Sequence, residues 1–319
     1  MPRTEAVEIP VRGPSSGRGS IQARGSRRTA KRRAYLLGAV TMLPAVLMIM
    51  ALFGLPSVQA VLLSLTSWGG VGAPRPVGLD NYREILSSPT FYSTVLRTLL
   101  YAVLTAGGIT VIATFLAAAI SAGVAGARFY RVIWFAPAVA PAAAVGVFWS
   151  TAFQPRIGTA NAMLGAIGLG DDHAWLAGTA TALYVLVLIS VWAGVGFAFL
   201  LLLGGMEQIP VSVYEAARID GASVLRQFFS ITLPLIRPVL AITATLQLIW
   251  AFNGFTLVWA LTKGGPADST TTLPVLVYKE GFQFFRFGEA STVAVLAGAL
   301  LVLIGFVAMR MSQSQQALR

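Results

Sequence analysis

Long apolar stretches alternate with short polar segments along most of the chain. Six of them reach the roughly 20 residues that an α-helix needs to cross the hydrocarbon core of a bilayer. They occupy positions 37–63, 99–122, 132–153, 178–203, 239–261 and 290–309. The pattern predicts an all-α integral membrane protein with about six transmembrane helices.

Two features of the first apolar stretch indicate its shape and whether it is cleaved. It contains Pro44 and Pro56. Because proline interrupts the hydrogen-bond ladder of a helix, we expect this span to be kinked or tilted. The stretch is also much longer than the about 7–15 apolar residues of a signal peptide. We therefore expect it to remain in the protein as a membrane span.

The distribution of basic residues predicts the orientation. Nine Lys and Arg residues precede the first span, and 16 of the 23 in the chain fall on the same side of the predicted membrane. Since basic loops stay in the cytoplasm, both termini are predicted to be cytoplasmic. The predicted domains are a basic tail at 1–33, a transmembrane domain at 34–310 and a short tail at 311–319.

The composition excludes several classes of protein. Hydrophobic residues make up 56% of the chain and charged residues only 11%, whereas a soluble domain has about 25% charged residues. There is no cysteine and a single histidine, His173. These counts exclude a disulfide framework, a thiol nucleophile and a zinc site of His and Cys within the chain. No phosphate-loop motif for ATP occurs either, so we do not expect an enzyme.

All twelve carboxylates lie outside the six predicted spans. Carriers that are coupled to protons or sodium commonly place ionisable groups inside the membrane. Their absence weighs against an ion-coupled carrier. Backbone carbonyls can also bind sodium, so this alternative stays open from the charges alone.

The segment 204–238, between the fourth and fifth predicted spans, is more structured than a linker needs to be. Ser212 and Glu215 have the spacing of a capping box, which predicts a short helix there. Gly221 is predicted to end this helix with left-handed backbone, and Ser223 to begin a second one. The spacing alone fits either a docking element for another protein or an interfacial helix on the membrane surface.

Part of this segment resembles the EAA loop of ABC importer permeases. The resemblance is carried by E-A-A-R-I-D-G-A at 215–222 and I-T-L-P-L-I-R-P at 231–238. Further matches to carbohydrate-uptake permeases, of the maltose-F-like or sugar and glycerol-phosphate type, are V-G-L-D-N-Y at 77–82, F-Y-R-V-I-W-F-A-P at 129–137 and L-T-K-G-G-P at 261–266. The likeness covers about residues 35–310.

Two positions depart from the pattern of that family. Lys263 stands where Gly or Asn usually precedes Gly-Gly-Pro, and Arg97 stands where relatives often have Asn. The departure at Arg97 leaves the role of this residue open.

The resemblance implies that the segment is a coupling helix that docks on a separate ATPase subunit. That subunit would bind ATP and Mg, and the present chain would need no cofactor of its own. The implied docking residues are Glu215, Ala216, Ala217, Asp220 and Gly221. Glu215 would make polar contacts with the ATPase, and Gly221 would make the turn.

The resemblance also implies a substrate path built from the fourth and fifth spans. The matching positions are Ser190, Trp192, Gly194, Phe252, Asn253 and Phe255. Aromatic rings suit the apolar faces of sugars, and amide or hydroxyl groups suit their hydroxyls. Two alternatives stay open at this point. The Asn253 side chain could instead form an interhelical hydrogen bond, and the Trp192 ring could pack against neighbouring helices.

The resemblance makes import of a sugar or oligosaccharide the main functional hypothesis. The implied partners are a second permease subunit in a heterodimer, an ATPase dimer, an extracytoplasmic solute-binding protein and membrane lipid, but no nucleic acid. Import of glycerol 3-phosphate or a polyol is one alternative, and an ion-coupled secondary carrier is another. Arg97 is the one basic residue near a predicted path and lies at its outer end, which favours a neutral solute.

Overall fold

The computed structural model describes residues 38–168 and 172–316. The basic tail predicted at 1–33 lies outside this part of the chain, as do Asp171 and residues 317–319. The chain forms two units, residues 1–59 and 60–319.

The first helix, α1 (Gly38–Ser64), matches the predicted first span. It contains a π-helical turn at Met50–Gly54, where the Leu55 N–H bonds to the Met50 carbonyl. Pro56, which has no N–H to donate, follows two residues after the turn. Such π-turns are a recognised way for a helix to absorb a local irregularity.

The remaining elements follow in one largely helical series. A short antiparallel hairpin comes first, formed by β1 (Thr66–Ser67) and β2 (Arg75–Pro76). The helices are α2 (Asp80–Ser87), α3 (Pro89–Ser121), α4 (Ala127–Val139), α5 (Ala142–Ala152), α6 (Thr159–Ala166), α7 (Ala182–Met206), α8 (Val211–Ile219), α9 (Val224–Leu235), α10 (Arg237–Phe252), α11 (Thr256–Thr262), α12 (Leu273–Tyr278) and α13 (Phe287–Gln316).

Between four and six of these elements can cross a membrane. In the described residues, α1, α3, α7 and α13 are each long and apolar enough to do so alone. The pairs α4–α5 and α9–α10 qualify only when each bent pair is taken as one span. A predominantly helical fold with four to six candidate membrane spans is confirmed, and the predicted six is the upper limit of that number. The β1–β2 hairpin was not predicted.

The third predicted span, 132–153, is not one continuous helix. It is divided into α4 and α5, whose axes are bent by 95°. Ala140 is extended and Pro141 caps the second helix. Proline removes a backbone donor and disfavours helical backbone at the residue before it, which explains the break at this place.

The fifth predicted span, 239–261, is also interrupted. Helix α10 begins near the expected place but ends at Phe252, with Asn253 as its C-cap. The chain becomes helical again only at Thr256. Asn and Gly both have low helix propensity, and together at 253–254 they stop the helix.

The last helix begins three residues before the predicted span. Glu289 therefore lies in the first turn of a membrane-spanning helix and not outside it as predicted. It pairs there with Arg286, whose Nη1 lies 2.9 Å from Glu289 Oε2. The helix continues to Gln316, past the predicted domain end at 310.

Helices α3, α7 and α10 form the centre of the larger unit. A core cluster joins Ala113 and Ala117 of α3 to Ala198 and Phe199 of α7, all fully buried. A second cluster joins α7 to α5 and α11, and a third joins α3 to α10, α12 and α13. The sites described below are built on this centre.

Small residues allow these helices to approach closely. A Cβ atom added at Gly196 of α7 would overlap the carbonyl oxygen of Trp134 and lie 2.8 Å from the Cα atom of Phe135, both on α4. At Gly204 of the same helix, an added Cβ would meet nothing within 4 Å. Close approach at small residues is a main source of helix association in lipid.

We expect Gly196→Leu to destabilise the protein by about 1–3 kcal/mol or more, because overpacking must push α4 away from α7. The measurement is thermal unfolding of the purified protein in mild detergent. Gly204→Leu is the matched control and should leave the midpoint close to wild type. Equal midpoints for the two variants would contradict the close packing of α4 on α7.

Candidate functional site

The segment between α7 and α10 forms two short helices, α8 and α9. The capping box predicted from Ser212 and Glu215 is wrong, because Pro210 occupies the N-cap position and no side chain caps the helix. Ser212 therefore lies inside the first turn. The N-cap therefore lies two residues upstream of the predicted one, and the helix begins at Val211.

The turn after α8 has the predicted geometry. Gly221 has a φ of +74°. The Gly221 N–H bonds to the Arg218 carbonyl at 3.0 Å, and the Ala222 N–H bonds to the Ala217 carbonyl at 2.9 Å. These two bonds form a Schellman motif, which satisfies the last carbonyls of the helix.

The second helix begins where the sequence predicted it. The Ser223 hydroxyl accepts a hydrogen bond from the Arg226 N–H at 3.3 Å. Gln227 is buried, and its side-chain amide donates to the Ala222 carbonyl at 2.7 Å. The turn is thus tied to α9 from both sides.

Contacts across the segment hold α8 and α9 together and anchor them in the core. The hydroxyls of Tyr214 on α8 and Thr232 on α9 lie 2.9 Å apart. Phe228 is buried in the cluster formed by α3 and α7, and its ring stacks on Phe115 with 5.7 Å between ring centroids. These contacts anchor the α8–α9 segment to α3 and α7.

Four of the five predicted docking residues are exposed. Glu215, Ala216, Asp220 and Gly221 lie at the surface, whereas Ala217 is buried beneath them. Large apolar side chains are exposed on the same segment, and Ile219 reaches 86% exposure. The others are Val211, Val213, Val224, Leu225, Phe229 and Leu235. An exposed apolar patch with polar residues beside it is typical of a protein-interaction surface.

The predicted path residues on α7 point in two directions. Positions four apart in a helix share a face, and both Ser190 and Gly194 pack toward α3. The Ser190 hydroxyl lies 2.8 Å from that of Tyr101, and a Cβ added at Gly194 would lie 2.6 Å from Ile109 Cδ1. Trp192 is 38% exposed on another face.

The predicted path residues of the fifth span lie at its interruption. Phe252 is 2% exposed and belongs to the core between α3, α10 and α13. Asn253 is exposed, and its side-chain amide donates to the Ile249 carbonyl at 2.9 Å. Phe255 stacks on Trp259, with ring centroids 5.7 Å apart. In lipid, such an interruption is tolerated where it is buried in protein or lines a water-filled path.

The sequence analysis missed one aromatic residue beside these positions. Trp149 on α5 meets Trp192 edge to face, with ring centroids 5.4 Å apart. Its indole Nε1 is enclosed and has no hydrogen-bond partner within the described residues. The adjacent aromatics F-W at 148–149 were the available signal. The bend between α4 and α5, which was not predicted, places them beside α7.

Comparison with known proteins assigns the family. Residues 109–316 match the model of the binding-protein-dependent transport system inner membrane component. The sn-glycerol-3-phosphate transport system permease protein UgpA of Pectobacterium atrosepticum is 34% identical over 85% of this chain and 92% of its own length. The chain belongs to this family of ABC transporter permeases.

A second relative and a solved structure agree with this assignment. The probable ABC transporter permease protein YesP of Bacillus subtilis is 30% identical over 92% of this chain and 94% of its own. A chain of a bacterial ABC transporter involved in the import of the acidic polysaccharide alginate has the same fold, with a TM-score of 0.78 at 22% identity. That match covers 91% of this permease and 99% of the other chain.

The structure gives the backbone conformation at one departure from the expected sequence pattern. Lys263, which stands where the resemblance predicts Gly or Asn, has a φ of +53°. Gly and Asn adopt left-handed backbone with the least strain. Lys263 adopts this backbone as the C-cap of α11, and its N–H bonds to the Trp259 carbonyl at 3.1 Å.

We expect Gly221→Val to loosen the α8–α9 turn of this permease by about 1–2 kcal/mol, because a β-branched residue is strained at positive φ. Limited trypsin digestion after Arg218 and Arg226 should then be several-fold faster than in the wild type. Gly221→Asn is the matched control, since Asn tolerates this backbone. Identical digestion rates for the Val and Asn variants would contradict the turn geometry.

Proposed function

We propose that this permease is the membrane subunit of an ATP-driven importer and does no covalent chemistry itself. The observation that carries the proposal is the structure of the α8–α9 segment, whose two helices are hydrogen-bonded to each other. The segment exposes Glu215 and Ile219 and is anchored in the core through Phe228. A segment that only lies on a membrane would not need such an anchor. An ATPase partner would bind ATP and Mg and dock on this surface.

We further propose a sugar or an oligosaccharide as the solute. Aromatic side chains beside the interruption at Asn253 and around Trp192 suit sugar rings, and the Asn253 amide suits their hydroxyls. The relation to a glycerol-3-phosphate permease supports a second candidate, glycerol 3-phosphate or a similar polyol phosphate. The family assignment removes the ion-coupled carrier.

The orientation follows from the basic residues. We propose that both termini and the α8–α9 segment are cytoplasmic, in the cell membrane. The loops on the opposite side, at about 67–89, 154–177 and 262–288, would receive solute from an extracytoplasmic binding protein. A second permease subunit would complete the path, and the L-T-K-G-G-P signature favours a different chain over a second copy.

The proposed mechanism is a shift between two populations. ATP binding would close the ATPase dimer and displace α8, and the anchored core helices would follow toward the outward-open state. Hydrolysis would return them. The energy comes from contacts that differ between the two states, which is what any such shift requires.

The decisive experiment is a pull-down of the tagged permease in mild detergent, with co-purifying proteins identified by mass. We expect an ATPase, a second permease and an exported binding protein. Glu215→Ala should lower ATPase retention roughly 10-fold, because a polar contact to a charged group is lost. Glu84→Gln, which removes an exposed carboxylate from the outer segment, is the control and should retain the ATPase.

Two results would contradict the proposal. One is purification of the permease alone as a stable monomer. The other is full ATPase retention and normal ATP-driven uptake by Glu215→Ala.

The solute path has its own test. We expect Asn253→Ala to raise the KM for uptake roughly 10-fold with ATPase retention unchanged, because a hydrogen-bonding group of the path is lost. Gln208→Ala is the matched control, since the Gln208 amide makes the same kind of bond to a carbonyl four residues earlier, at Gly204. An unchanged KM for Asn253→Ala would remove Asn253 from the path.

A further inference from the structure

A cavity of about 540 Å³ lies where α3, the start of α7 and the loop after α11 meet. Arg97 lines it from α3, and Ser269 lines it from the loop. Leu183 and Tyr184 form the α7 wall. The predicted path positions, which lie further along α7 and in the interruption after α10, do not line it. The cavity is therefore a separate feature from the proposed sugar path.

Two polar groups of this cavity lack partners. Arg97 Nη1 and Ser269 Oγ are each enclosed, and neither has a hydrogen-bond partner in the part of the chain that the structure describes. An enclosed donor without a partner is costly, and most such groups in proteins are paired. The protein therefore leaves the hydrogen-bonding capacity of both groups unused, and both residues border the cavity.

The charge of Arg97 is balanced only in part, by a longer-range attraction to Asp268. Among the described residues Arg97 forms no ion pair, while the carboxylate beside it is already engaged. Asp268 accepts a bond from Lys279 Nζ at 2.6 Å and another from the Thr271 hydroxyl at 2.9 Å. The Lys279 hydrogen bond lowers the pKa of Asp268 below its ordinary value, and Arg97 adds a smaller effect in the same direction.

The loop that carries Ser269 is fixed independently of Arg97. The Thr271 hydroxyl donates to the Gly264 carbonyl at 3.0 Å, and the Thr270 hydroxyl donates to the Gly265 carbonyl at 2.8 Å. Lys279 Nζ donates hydrogen bonds to two residues of the same loop, Thr271 and Asp268. Arg97 is therefore not needed to hold the loop in place.

We propose that this cavity binds an anionic group, a phosphate or a carboxylate, with Arg97 as its charge partner and Ser269 as a hydrogen-bond donor. Guanidinium matches the paired oxygens of both groups. The apolar wall of Leu183 and Tyr184 accommodates the organic body that carries the anion. The group comes from a small solute or from a lipid headgroup. The proposal concerns the cavity alone and stands whether or not the transported solute is a neutral sugar.

The first arm of the test titrates small probes into the full importer, reconstituted in zwitterionic lipid. Glycerol 3-phosphate is compared with glycerol, and glucuronate with glucose, by calorimetry. We expect the anionic member of a pair to bind more tightly and Arg97→Gln to weaken it roughly 10- to 100-fold. Arg83→Gln is the control, because it removes an arginine of an exposed pair with Asp80 and leaves the cavity intact.

The second arm distinguishes a lipid from a solute. Wild type and Arg97→Gln are purified from native membranes and analysed by intact-complex mass spectrometry. An anionic phospholipid retained by wild type and lost from the variant assigns the headgroup as the ligand. Tight binding of glycerol 3-phosphate or glucuronate, without such a lipid, assigns the solute.

If Arg97→Gln fails to assemble, Ser269→Ala is the second variant, because this substitution removes only one hydroxyl. We expect a loss of a few-fold in binding, and Arg97→Lys should retain part of the affinity because it keeps the charge. The proposal is overturned if assembled variants change neither probe binding nor lipid retention. That outcome leaves ATPase docking and solute uptake untouched, so it is distinguishable from failure of the permease function.

Discussion

Lipid supplies no hydrophobic driving force between helices, so close packing must hold α3, α7 and α10 together. The two longest partners interlock reciprocally. A Cβ at Gly108 of α3 would lie 2.9 Å from Val191 of α7, and a Cβ at Gly194 of α7 would lie 2.6 Å from Ile109 of α3. Buried hydroxyls reinforce the α3–α7 contact, as where the hydroxyls of Tyr101 and Ser190 lie 2.8 Å apart. A further one ties α3 to α12, because the Thr98 hydroxyl accepts a bond from the Leu273 N–H at 2.9 Å.

Continuous apolar runs were enough to predict α1, α7, most of α13 and most of α3, which begins at Pro89, ten residues before the predicted span. A run of this length has one stable form in lipid, because every backbone group must be paired within the segment. The breaks were harder to predict. Proline at position 141 and the Asn253–Gly254 pair permit an interruption, but the 95° bend between α4 and α5 depends on what the two helices pack against. Local sequence does not contain that information.

The α8–α9 segment was predictable for the opposite reason, since its bonds are local. The left-handed turn at Gly221 and the cap at Ser223 join residues only a few positions apart. The start of α8 was predicted wrongly because Pro210, and not Ser212, occupies the N-cap position. Trp149 and the Arg97 cavity were missed because their surroundings come from segments distant in sequence.

The length of α3 has a mechanical consequence. Its 33 residues span about 50 Å, well beyond the about 30 Å of hydrocarbon, so the helix must tilt or project. Arg97 near one end and Phe115 toward the other are about 27 Å apart along this rod. A rigid rod pivoting near its middle swings its two ends in opposite directions. If α3 tilts about a point between these two residues, the cavity at Arg97 and the Phe115 ring beneath α9 move in opposite directions.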